Sequence, residues 1–412
     1  MRIAFVVWRF PTLSETFILN QIVALIKQGH EVDIYAYNGK GDTVKVHPEV
    51  EKYQLLKNTY YPSQMPENRF WRIIKGLGLL LLNSYKAPLV ALRTLNIFKY
   101  SQDAISFKLI YGVLPFFGKQ PYDIIHCQFG ELGLKCQHFR SLGLSQAKLL
   151  TSFRGYDISE YVKRSGKNVY KPLFTRGDLL LPNCDYFKRL LLKLGCDEEK
   201  IKVLRSAIDC DRFSFTPRYL PANSPIRIIT VGRLEAKKGL EYGLKAIAIL
   251  AKKHPDIEYH IVGEGTLRGE LQKLIKELDI GSKVKLWGAK QQQEVIEIID
   301  KSHLFLSPNV TSKDGNEDGP PNVIKEALAM GLPVVSTELE GIQEIVQDGV
   351  SGFLVPQRNA EALAQKLDYL IVHADIWPEM GQQGQAYVES HYDINRLNKQ
   401  LIETYQQLLS KS

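Results

Sequence analysis

The chain alternates short apolar runs with longer amphipathic stretches, which is typical of strands and helices in an α/β fold. The apolar run Arg2–Trp8 is followed by the helix-like stretch Phe17–Gly29 and then by a second apolar run, Glu31–Tyr37. A strand, a helix and a strand in this order predict two parallel strands joined by a crossover helix. Further strand-like runs occupy residues 123–126, 148–153 and 178–182. Residues 1–205 are therefore predicted to contain a parallel sheet.

The second half repeats this pattern after a proline-rich break. Residues 212–225 contain three prolines with serine and asparagine between them, which is typical of a linker between domains. The near-continuous apolar runs that follow are Ile226–Val231, Glu258–Val262, Val284–Trp287, Leu304–Ser307 and Pro333–Ser336. Strands of this kind are buried on both faces and predict a second doubly wound parallel sheet. The predicted organisation is a first domain at 1–211, the linker, a second domain at 226–385 and a terminal helix, 386–412, that crosses back to the first domain.

The composition agrees with two soluble domains, and the charge is unevenly divided between them. A length of 412 residues exceeds what one hydrophobic core usually organises. Five scattered cysteines without a C-x-x-C motif favour a reducing compartment. Residues 1–200 hold 28 Lys and Arg against 17 Asp and Glu, whereas residues 201–412 hold 25 against 28. The first half is thus the basic half, and we expect its partner to be anionic.

One stretch of the first half, residues 69–111, departs from the sheet pattern. It combines many leucines and aromatic residues with cations, and Asp103 is its one acidic residue. The cations are Arg69, Arg72, Lys75, Lys86, Arg93, Lys99 and Lys108. A basic amphipathic stretch of this kind fits an anionic membrane surface. The alternative is an ordinary pair of helices that cover the sheet and keep their cations in water.

The expected location is the cytoplasm, with peripheral contact at the inner face of the plasma membrane left open. The apolar start of the chain lacks a signal-peptide cleavage site and is interrupted by Arg9 and Pro11. No apolar run reaches the roughly 18 residues of a membrane span.

Candidate chemistry begins in the turn after the first strand of the second domain. Arg233 and Lys238 lie there at the start of a helix, where a guanidinium and an ammonium group can converge on one diphosphate. The alternative is two solvated charges. The next turn, 263–265, spaces its glycines differently from a dinucleotide fingerprint, so it indicates either close approach of a nucleotide or only a tight turn. Because neither domain has G-x-G-x-x-G after its first strand, a nicotinamide-dependent dehydrogenase is a poor interpretation.

A further motif spans residues 316–335 and combines a Gly-Pro turn, a short helix and a buried strand. Asp318 in its loop and Glu326 on its helix lie eight residues apart, at the end of a strand, where open α/β sheets bind ligands. Two carboxylates suit a polyhydroxylated ligand because their oxygens accept hydrogen bonds from vicinal hydroxyls. As isolated carboxylates, they would instead be solvated charges.

With these motifs, the chain resembles, over essentially its whole length, the large GT-B family of retaining glycosyltransferases called family 4. The segments 10–17, FPTLSETF, and 126–130, HCQFG, make it similar to the branch that makes colanic acid and other exopolysaccharides. The resemblance implies two Rossmann-like doubly wound parallel-sheet domains that face a central cleft, with the donor held by the second.

The resemblance also implies roles for individual residues. Arg233 and Lys238 would neutralise the donor diphosphate, Glu326 would hold the ribose hydroxyls, and Asp318 would touch the donor sugar. The other donor-binding candidates are Gly232, Gly263, Trp287, Gly288, Gly319, Pro320, Asn322 and Val323. Among these, the backbone near Gly263 and at 287–288 would frame the base. Asp318 stands where the family has the first glutamate of E-x7-E, so this carboxylate is one methylene shorter than the family's.

The acceptor-side candidates lie in the first domain. They are Ser14, Glu15, Thr16, His126, Arg154 and Asp157. His126 could meet the acceptor or be a core histidine, and residues 14–16 could meet a phosphate or simply cap the first helix. Arg154 stands where the family often has the histidine of His-Gly-x-Asp. It cannot act as a base at neutral pH, but it could stabilise the departing phosphate.

The expected activity is retaining transfer of a hexose-type sugar from a UDP or GDP donor to a glycan or lipid-linked acceptor in cell-surface polysaccharide or glycolipid synthesis. The family is thought to use a front-face route that needs no protein nucleophile, and we expect no cofactor, metal or nucleic-acid partner. Asp209 and Asp211 form a D-x-D motif, but they lie beside the linker. Two alternatives stay open: a nucleotide-sugar epimerase or hydrolase on the same fold, and a non-catalytic sugar-nucleotide-binding subunit.

Overall fold

The computed structural model describes residues 1–12, 15–41 and 46–410, so Ser14 lies outside the described residues. The apolar runs of the first domain form one parallel sheet. Its strands are β1 (Arg2–Val7), β2 (Glu31–Ala36), β3 (Thr59–Tyr60), β4 (Ile124–Cys127), β5 (Lys148–Phe153) and β6 (Leu179–Pro182). Their spatial order is β3-β2-β1-β4-β5-β6. Helices cover both faces, so β1 is fully buried from Ile3 to Val7 and is apolar throughout this segment.

The helices of the first domain include the amphipathic stretch at 69–111. They are α1 (Thr16–Lys27), α2 (Pro48–Lys52), α3 (Arg69–Asn83), α4 (Pro88–Thr94), α5 (Ile97–Ile105), α6 (Lys108–Val113), α7 (Gly130–Cys136), α8 (Phe139–Leu142), α9 (Glu160–Ser165), α10 (Lys171–Arg176) and α11 (Asp185–Lys193). Asn68 caps α3, because its Oδ1 accepts from the backbone N–H of Phe70 at 2.9 Å. Pro88 begins α4, where its missing N–H costs no helical hydrogen bond.

The second domain has the same architecture. Its strands are β7 (Ile226–Val231), β8 (Ile257–Val262), β9 (Val284–Gly288), β10 (Leu304–Ser307), β11 (Val334–Thr337) and β12 (Gly352–Val355), in the order β12-β11-β10-β7-β8-β9. Its helices are α12 (Leu240–Leu250), α13 (Arg268–Glu277), α14 (Gln292–Asp300), α15 (Asn322–Ala329), α16 (Glu340–Gln343), α17 (Ala360–Val372) and α18 (Trp377–Tyr392). The predicted class, two doubly wound parallel-sheet domains, is confirmed. The two edge strands are not predicted, since β3 has only two residues and β12 is only half buried.

Each sheet has a topological switch point, at which the strand order reverses. The connections that follow the two neighbouring strands at this point lead to opposite sides of the sheet. In the first sheet it lies between β1 and β4, and in the second between β7 and β10. Ligands of open α/β sheets bind outside the carboxyl ends of the strands at such points. The turns after these four strands are therefore where chemistry is expected.

The chain crosses between the domains twice. The last helix, α19 (Ile394–Ser410), packs on the first domain, where Leu401 and Tyr405 are buried in the core beside β1. The outgoing and returning segments touch, since Ile208 donates its backbone N–H to the carbonyl oxygen of Tyr392 at 3.0 Å. The two crossings are thus held side by side.

Helices α3 to α5 leave an apolar surface in solvent, which we call the apolar shoulder. Its exposed large side chains are Phe70, Trp71, Ile74, Leu77, Leu81, Leu82, Tyr85, Leu89, Leu92, Leu95, Ile97, Phe98 and Ile105. Phe98 is 94% exposed. Most of the exposed large apolar side chains in the described part of the chain belong to this set. None of the helices described is both long and apolar enough to span a bilayer.

Candidate active site

The most highly charged cluster at the second switch point joins the turn after β7 to the loop after β10. The Asp318 carboxylate lies 2.6 Å from Lys238 Nζ and 2.9 Å from Lys237 Nζ. Asn309 Nδ2 donates to the same carboxylate at 2.8 Å. Burial acts to raise the pKa of Asp318, but the two ammonium groups outweigh it and lower the pKa to about 2. The carboxylate is therefore ionised at neutral pH and fixes both lysines in place.

Arg233 is placed differently from the lysines. Its side chain is 66% exposed, and its guanidinium lies 2.9 Å from Glu235. Burial is the largest influence on Glu15 of the first domain and leaves the pKa of that carboxyl raised overall, although the charge of Arg233 is among the influences that lower it. Arg233 is thus an exposed cation within electrostatic range of the first domain.

Glu326 lies on α15 beside a lysine that the sequence analysis missed. Lys325 is fully buried, and its Nζ donates to the Ser206 carbonyl at 2.7 Å and to Asn322 Oδ1 at 3.0 Å. Burial raises the pKa of Glu326 to about 7, against the opposing charge of Lys325. Among the described residues, the Glu326 carboxylate has no hydrogen-bond partner. Its oxygens are therefore available to the hydroxyls of a ligand.

The turn into α15 is packed against the first domain. Of the remaining candidates of the motif, Gly319 and Pro320 lie in this turn, and Asn322 and Val323 begin α15. A Cβ at Gly319 would lie 2.8 Å from the Phe187 ring, so only glycine permits this approach. Tyr186 donates its hydroxyl to Glu317 at 2.6 Å, and Glu344 accepts the backbone N–H groups of residues 185 and 186 at 2.9 and 2.7 Å. The loop that carries Asp318 is thereby held by α11 of the first domain.

The glycine turn at Gly263 serves backbone packing. Its φ is +144°, and a Cβ there would lie 1.9 Å from the Gly232 carbonyl oxygen. Gly263 also donates its N–H to Gly288 at 2.9 Å, which brings the turns after β7, β8 and β9 together. Lys285 Nζ lies 3.7 Å from the centre of the Trp287 ring. Trp287 also lines a groove of about 580 Å³ on the flank of the sheet.

His126 lies in the core of the first domain, which favours the second of its two predicted roles, a core histidine, over contact with the acceptor. It is fully buried, its Nδ1 lies 2.7 Å from the Tyr405 hydroxyl, and its Nε2 lies 2.8 Å from Ser152 Oγ. Burial lowers its pKa to about 3, so the ring is neutral at physiological pH. Both ring nitrogens are occupied within the protein.

Asp157 is likewise turned inward, and its acceptor-side role stays a prediction. It is fully buried, and its carboxylate accepts the backbone N–H groups of Arg154, Gly155 and Gly130 at 2.9, 3.0 and 2.9 Å. It therefore shapes the turn after β5 and ties it to α7. Thr16 opens α1, and Glu15 precedes it without capping the helix through its side chain.

Arg154 comes nearer to the cleft. Its Nη2 donates to Gln128 Oε1 at 2.5 Å and its Nη1 to Ser206 Oγ at 3.2 Å, with the guanidinium 4.2 Å from the Phe17 ring centre. Its Nε is buried without a partner among the described residues. Burial lowers the pKa of Arg154 to about 10, so it stays charged at neutral pH. The structure thus brings Arg154, Glu15 and Arg233 into electrostatic reach across the domains.

Comparison with known proteins gives matches in both domains. A model described as glycosyl transferases group 1 matches residues 212–386, and a model described as glycosyltransferase family 4 matches residues 14–212. The amylovoran biosynthesis glycosyltransferase AmsK of Erwinia amylovora is 35% identical over 415 residues, covering 99% of this chain and 100% of that protein. WcaL of Salmonella typhimurium, provisionally named a colanic acid biosynthesis glycosyltransferase, is 35% identical over 98% of this chain and 100% of its own length.

Solved structures share the architecture at low identity. HepE of Anabaena in complex with UDP superposes with a TM-score of 0.72 at 17% identity, covering 99% of this chain and 100% of that one. A glycosyltransferase from Rickettsia africae gives a TM-score of 0.70 at 21% identity, with 100% and 99% coverage. These likenesses show a shared fold of both domains.

Proposed function

Because this chain belongs to the glycosyltransferases of group 1 and family 4, we propose that it transfers a hexose-type sugar with retention in exopolysaccharide synthesis. The donor is a nucleotide-diphosphate sugar held by the second domain, and the acceptor is a glycan or a lipid-linked glycan met by the first. The names of AmsK and WcaL, which refer to amylovoran and colanic acid, support the exopolysaccharide assignment.

The observation that carries the proposal is the cluster at the second switch point. Lys238 is fixed by Asp318 at 2.6 Å, and Glu326 offers a carboxylate that has no hydrogen-bond partner in the part of the chain that the structure describes. A fixed ammonium group stabilises the negative charge that grows on a leaving diphosphate, since it needs no reorganisation as the bond breaks. Glu326 accepts hydrogen bonds from the ribose hydroxyls, and the exposed Arg233 closes onto the phosphates.

In the chemical step the protein positions the reactants and stabilises the negative charge that develops on the diphosphate. The bond between the anomeric carbon and the diphosphate oxygen breaks, and the acceptor oxygen bonds to the same face of that carbon. The acceptor proton passes to the departing diphosphate. Lys238, Arg233 and Arg154 supply the positive charge for this step, and the proposal requires no cofactor or metal.

UDP-glucose is the first donor to test. Structures of HepE from Anabaena hold UDP and UDP-glucose, and the present chain shares its fold. GDP sugars are the comparison set. A thermal-shift panel of nucleotide sugars identifies the donor, because a ligand at about 100 times its dissociation constant adds about 2.7 kcal/mol of stability.

We place the reaction at an anionic membrane surface. The apolar shoulder exposes leucines and aromatic rings beside the cations of residues 69–99, among them Arg69, Lys86 and Lys99. Apolar side chains with neighbouring cations fit the headgroup region of a membrane that contains anionic lipids. A lipid-linked acceptor would be met there.

The deciding experiment measures nucleoside diphosphate release with and without membranes from the host as the acceptor source. A transferase releases it rapidly only when the acceptor is present, and the anomeric configuration of the product, read by NMR, reports retention. An epimerase converts the nucleotide sugar alone and a hydrolase releases the sugar into water, so acceptor-independent turnover would refute the proposal. A donor that binds without any turnover would identify a non-catalytic subunit.

A further inference from the structure

We propose that the first domain holds its glycan acceptor in a groove distinct from the predicted acceptor-side residues, with Glu131 and Trp8 as the residues that recognise it. This inference rests on the proposed function. The first-domain groove is lined by Trp8, Tyr37, Tyr111, Glu131, Lys135 and Arg164, among others, and has a volume of about 1050 Å³. That volume exceeds what one monosaccharide fills and suits an oligosaccharide.

The groove lies at the switch point of the first sheet. Trp8 directly follows β1, and Glu131 is the second residue of α7, which follows β4. These are the two strands between which the sheet reverses its order. The groove therefore occupies the place at which open α/β sheets bind ligands, as the Lys238 and Asp318 cluster does in the second sheet.

Glu131 has an acceptor atom that the protein leaves unused. Its Oε2 is buried and has no hydrogen-bond partner among the described residues. Burial raises the pKa of Glu131, and the nearby Asp157 charge acts in the same direction. A buried oxygen without a donor costs stability, and native structures rarely keep one without a reason. A sugar hydroxyl supplies the missing donor.

Aromatic faces and cations complete a glycan site. Lys135 Nζ lies 5.6 Å from the Trp8 ring centre and 5.7 Å from that of Tyr37. A sugar ring packs its C–H face on an aromatic ring, while its hydroxyl oxygens accept hydrogen bonds from an ammonium group. The lining charges are balanced, with the acids Glu67, Asp103 and Glu131 against the cations Lys108, Lys135 and Arg164. A neutral, polyhydroxylated ligand therefore fits better than a strongly charged one.

The lining of the groove adjoins both α3 and the second domain. Tyr111 lines the groove and donates its hydroxyl to the Arg72 carbonyl of α3 at 3.0 Å. Arg164 also lines it, and the adjacent Lys163 donates to the Lys313 carbonyl of the second domain at 3.1 Å. A lipid-linked glycan with its lipid at the shoulder could thus lay its sugars along the groove toward the donor.

The test uses short oligosaccharides released by mild acid from the host exopolysaccharide, observed by saturation-transfer NMR with the full chain. Glu131→Gln keeps the size of the side chain, and Trp8→Ala removes the aromatic face. Glu270→Gln, on the exposed surface of α13, is the matched control. We expect both groove variants to weaken oligosaccharide binding about tenfold or more, while their UDP affinity, measured by calorimetry, stays that of the wild type.

The outcomes separate the groove from the proposed function. Oligosaccharide signals that are absent in the wild type, or unchanged in both groove variants, overturn the groove assignment even if sugar transfer is observed. A second outcome is that the oligosaccharides bind and the groove variants weaken that binding, while no acceptor-dependent turnover occurs. In that case the groove stands as a glycan site and the transferase proposal fails. Loss of UDP affinity together with glycan binding would mean that the variants disturb the whole cleft, and would also overturn the specific roles of Glu131 and Trp8.

Discussion

Lys238 and Asp318 form a hydrogen-bonded ion pair of 2.6 Å that joins the turn after β7 to the loop after β10. Lys237 contacts the other carboxylate oxygen at 2.9 Å, so one anion holds two cations. Because the three charges do not cancel, the cluster keeps a net positive charge where a diphosphate is expected. Its role in the reaction can be separated from its role in folding.

Lys238→Ala is expected to lower turnover about 100-fold, because it removes a preorganised cation from the leaving diphosphate. Lys237 still pairs with Asp318, so the variant should fold. Arg233→Ala should lower turnover by a similar factor. Rates of UDP release and thermal melting measure both effects, and Lys273→Ala, whose side chain is 79% exposed, is the control. Near-normal turnover in a folded variant would remove that residue from diphosphate stabilisation.

Glu326 and Asp318 should separate nucleotide binding from sugar binding. Glu326→Ala is expected to weaken UDP itself by about 1–3 kcal/mol, since the ribose hydroxyls lose their acceptor. Asp318→Asn should weaken UDP-glucose more than UDP. Calorimetry with both ligands measures the difference. Equal losses for the two ligands in both variants would contradict the division of roles.

The raised pKa of Glu326 predicts opposite pH trends for binding and stability. Only the ionised carboxylate accepts strongly from ribose, so UDP affinity should rise as the pH increases through about 7. The folded-state pKa lies above the ordinary value of 4.5. The protonated group therefore contributes stability that is fully present below pH 4.5 and lost as the pH rises through about 7.

Glu326→Gln provides the reference for both trends, because it cannot titrate. Calorimetric UDP titrations and urea unfolding of the two proteins between pH 4.5 and 8 measure them. The wild-type free energy of unfolding, relative to Glu326→Gln, should fall over the range in which UDP affinity rises. Parallel curves for the two proteins would show that Glu326 does not titrate in this range.

His126→Ala should damage the fold rather than the acceptor site. The substitution leaves the Tyr405 hydroxyl and Ser152 Oγ without their partner and opens a cavity, so we expect a loss of roughly 2–4 kcal/mol in the free energy of unfolding. The acceptor KM of the remaining folded protein should be unchanged. His373→Ala, on an exposed residue, is the control. A raised KM at normal stability would return His126 to the acceptor side.

The apolar shoulder should bind anionic vesicles in a salt-dependent manner. Replacing Leu81, Leu82 and Phe98 by Ser removes exposed apolar surface, and reversing Arg69, Arg72 and Lys75 to Glu removes the charge attraction. Each triple variant is expected to lose most of its co-sedimentation with anionic vesicles, whereas Tyr219→Ser, at an exposed position in the linker, should keep it. Binding that ignores lipid charge, or that survives both triple variants, would leave the shoulder without a membrane role.

The sequence predicts the parts of the site that depend on local order along the chain. Buried apolar runs of four to six residues predict most strands of both sheets. The loops that follow β7 and β10 are brought together because those strands are neighbours at the switch point. Asp318 and Lys238 meet for this reason. Lys237 was missed, since two adjacent lysines give no sign of which one turns inward.

Other parts depend on contacts that sequence spacing does not reveal. The partner that buries His126 is Tyr405, 279 residues away on a helix that returns from the other domain. Asp157 looks like a polar loop residue until the turn folds its backbone N–H groups onto the carboxylate. Trp8 and Glu131 carry no motif of their own, and only the pairing of β1 with β4 makes them face the same groove.

The paired crossing at Ile208 and Tyr392 restricts how the two domains can move. A single connecting segment would allow the domains to rotate about any axis. Two segments joined by the hydrogen bond from Ile208 to Tyr392 resist twisting and permit bending about one hinge axis. We therefore expect the halves to open and shut along one fixed arc, so that each closure returns the two halves to the same alignment.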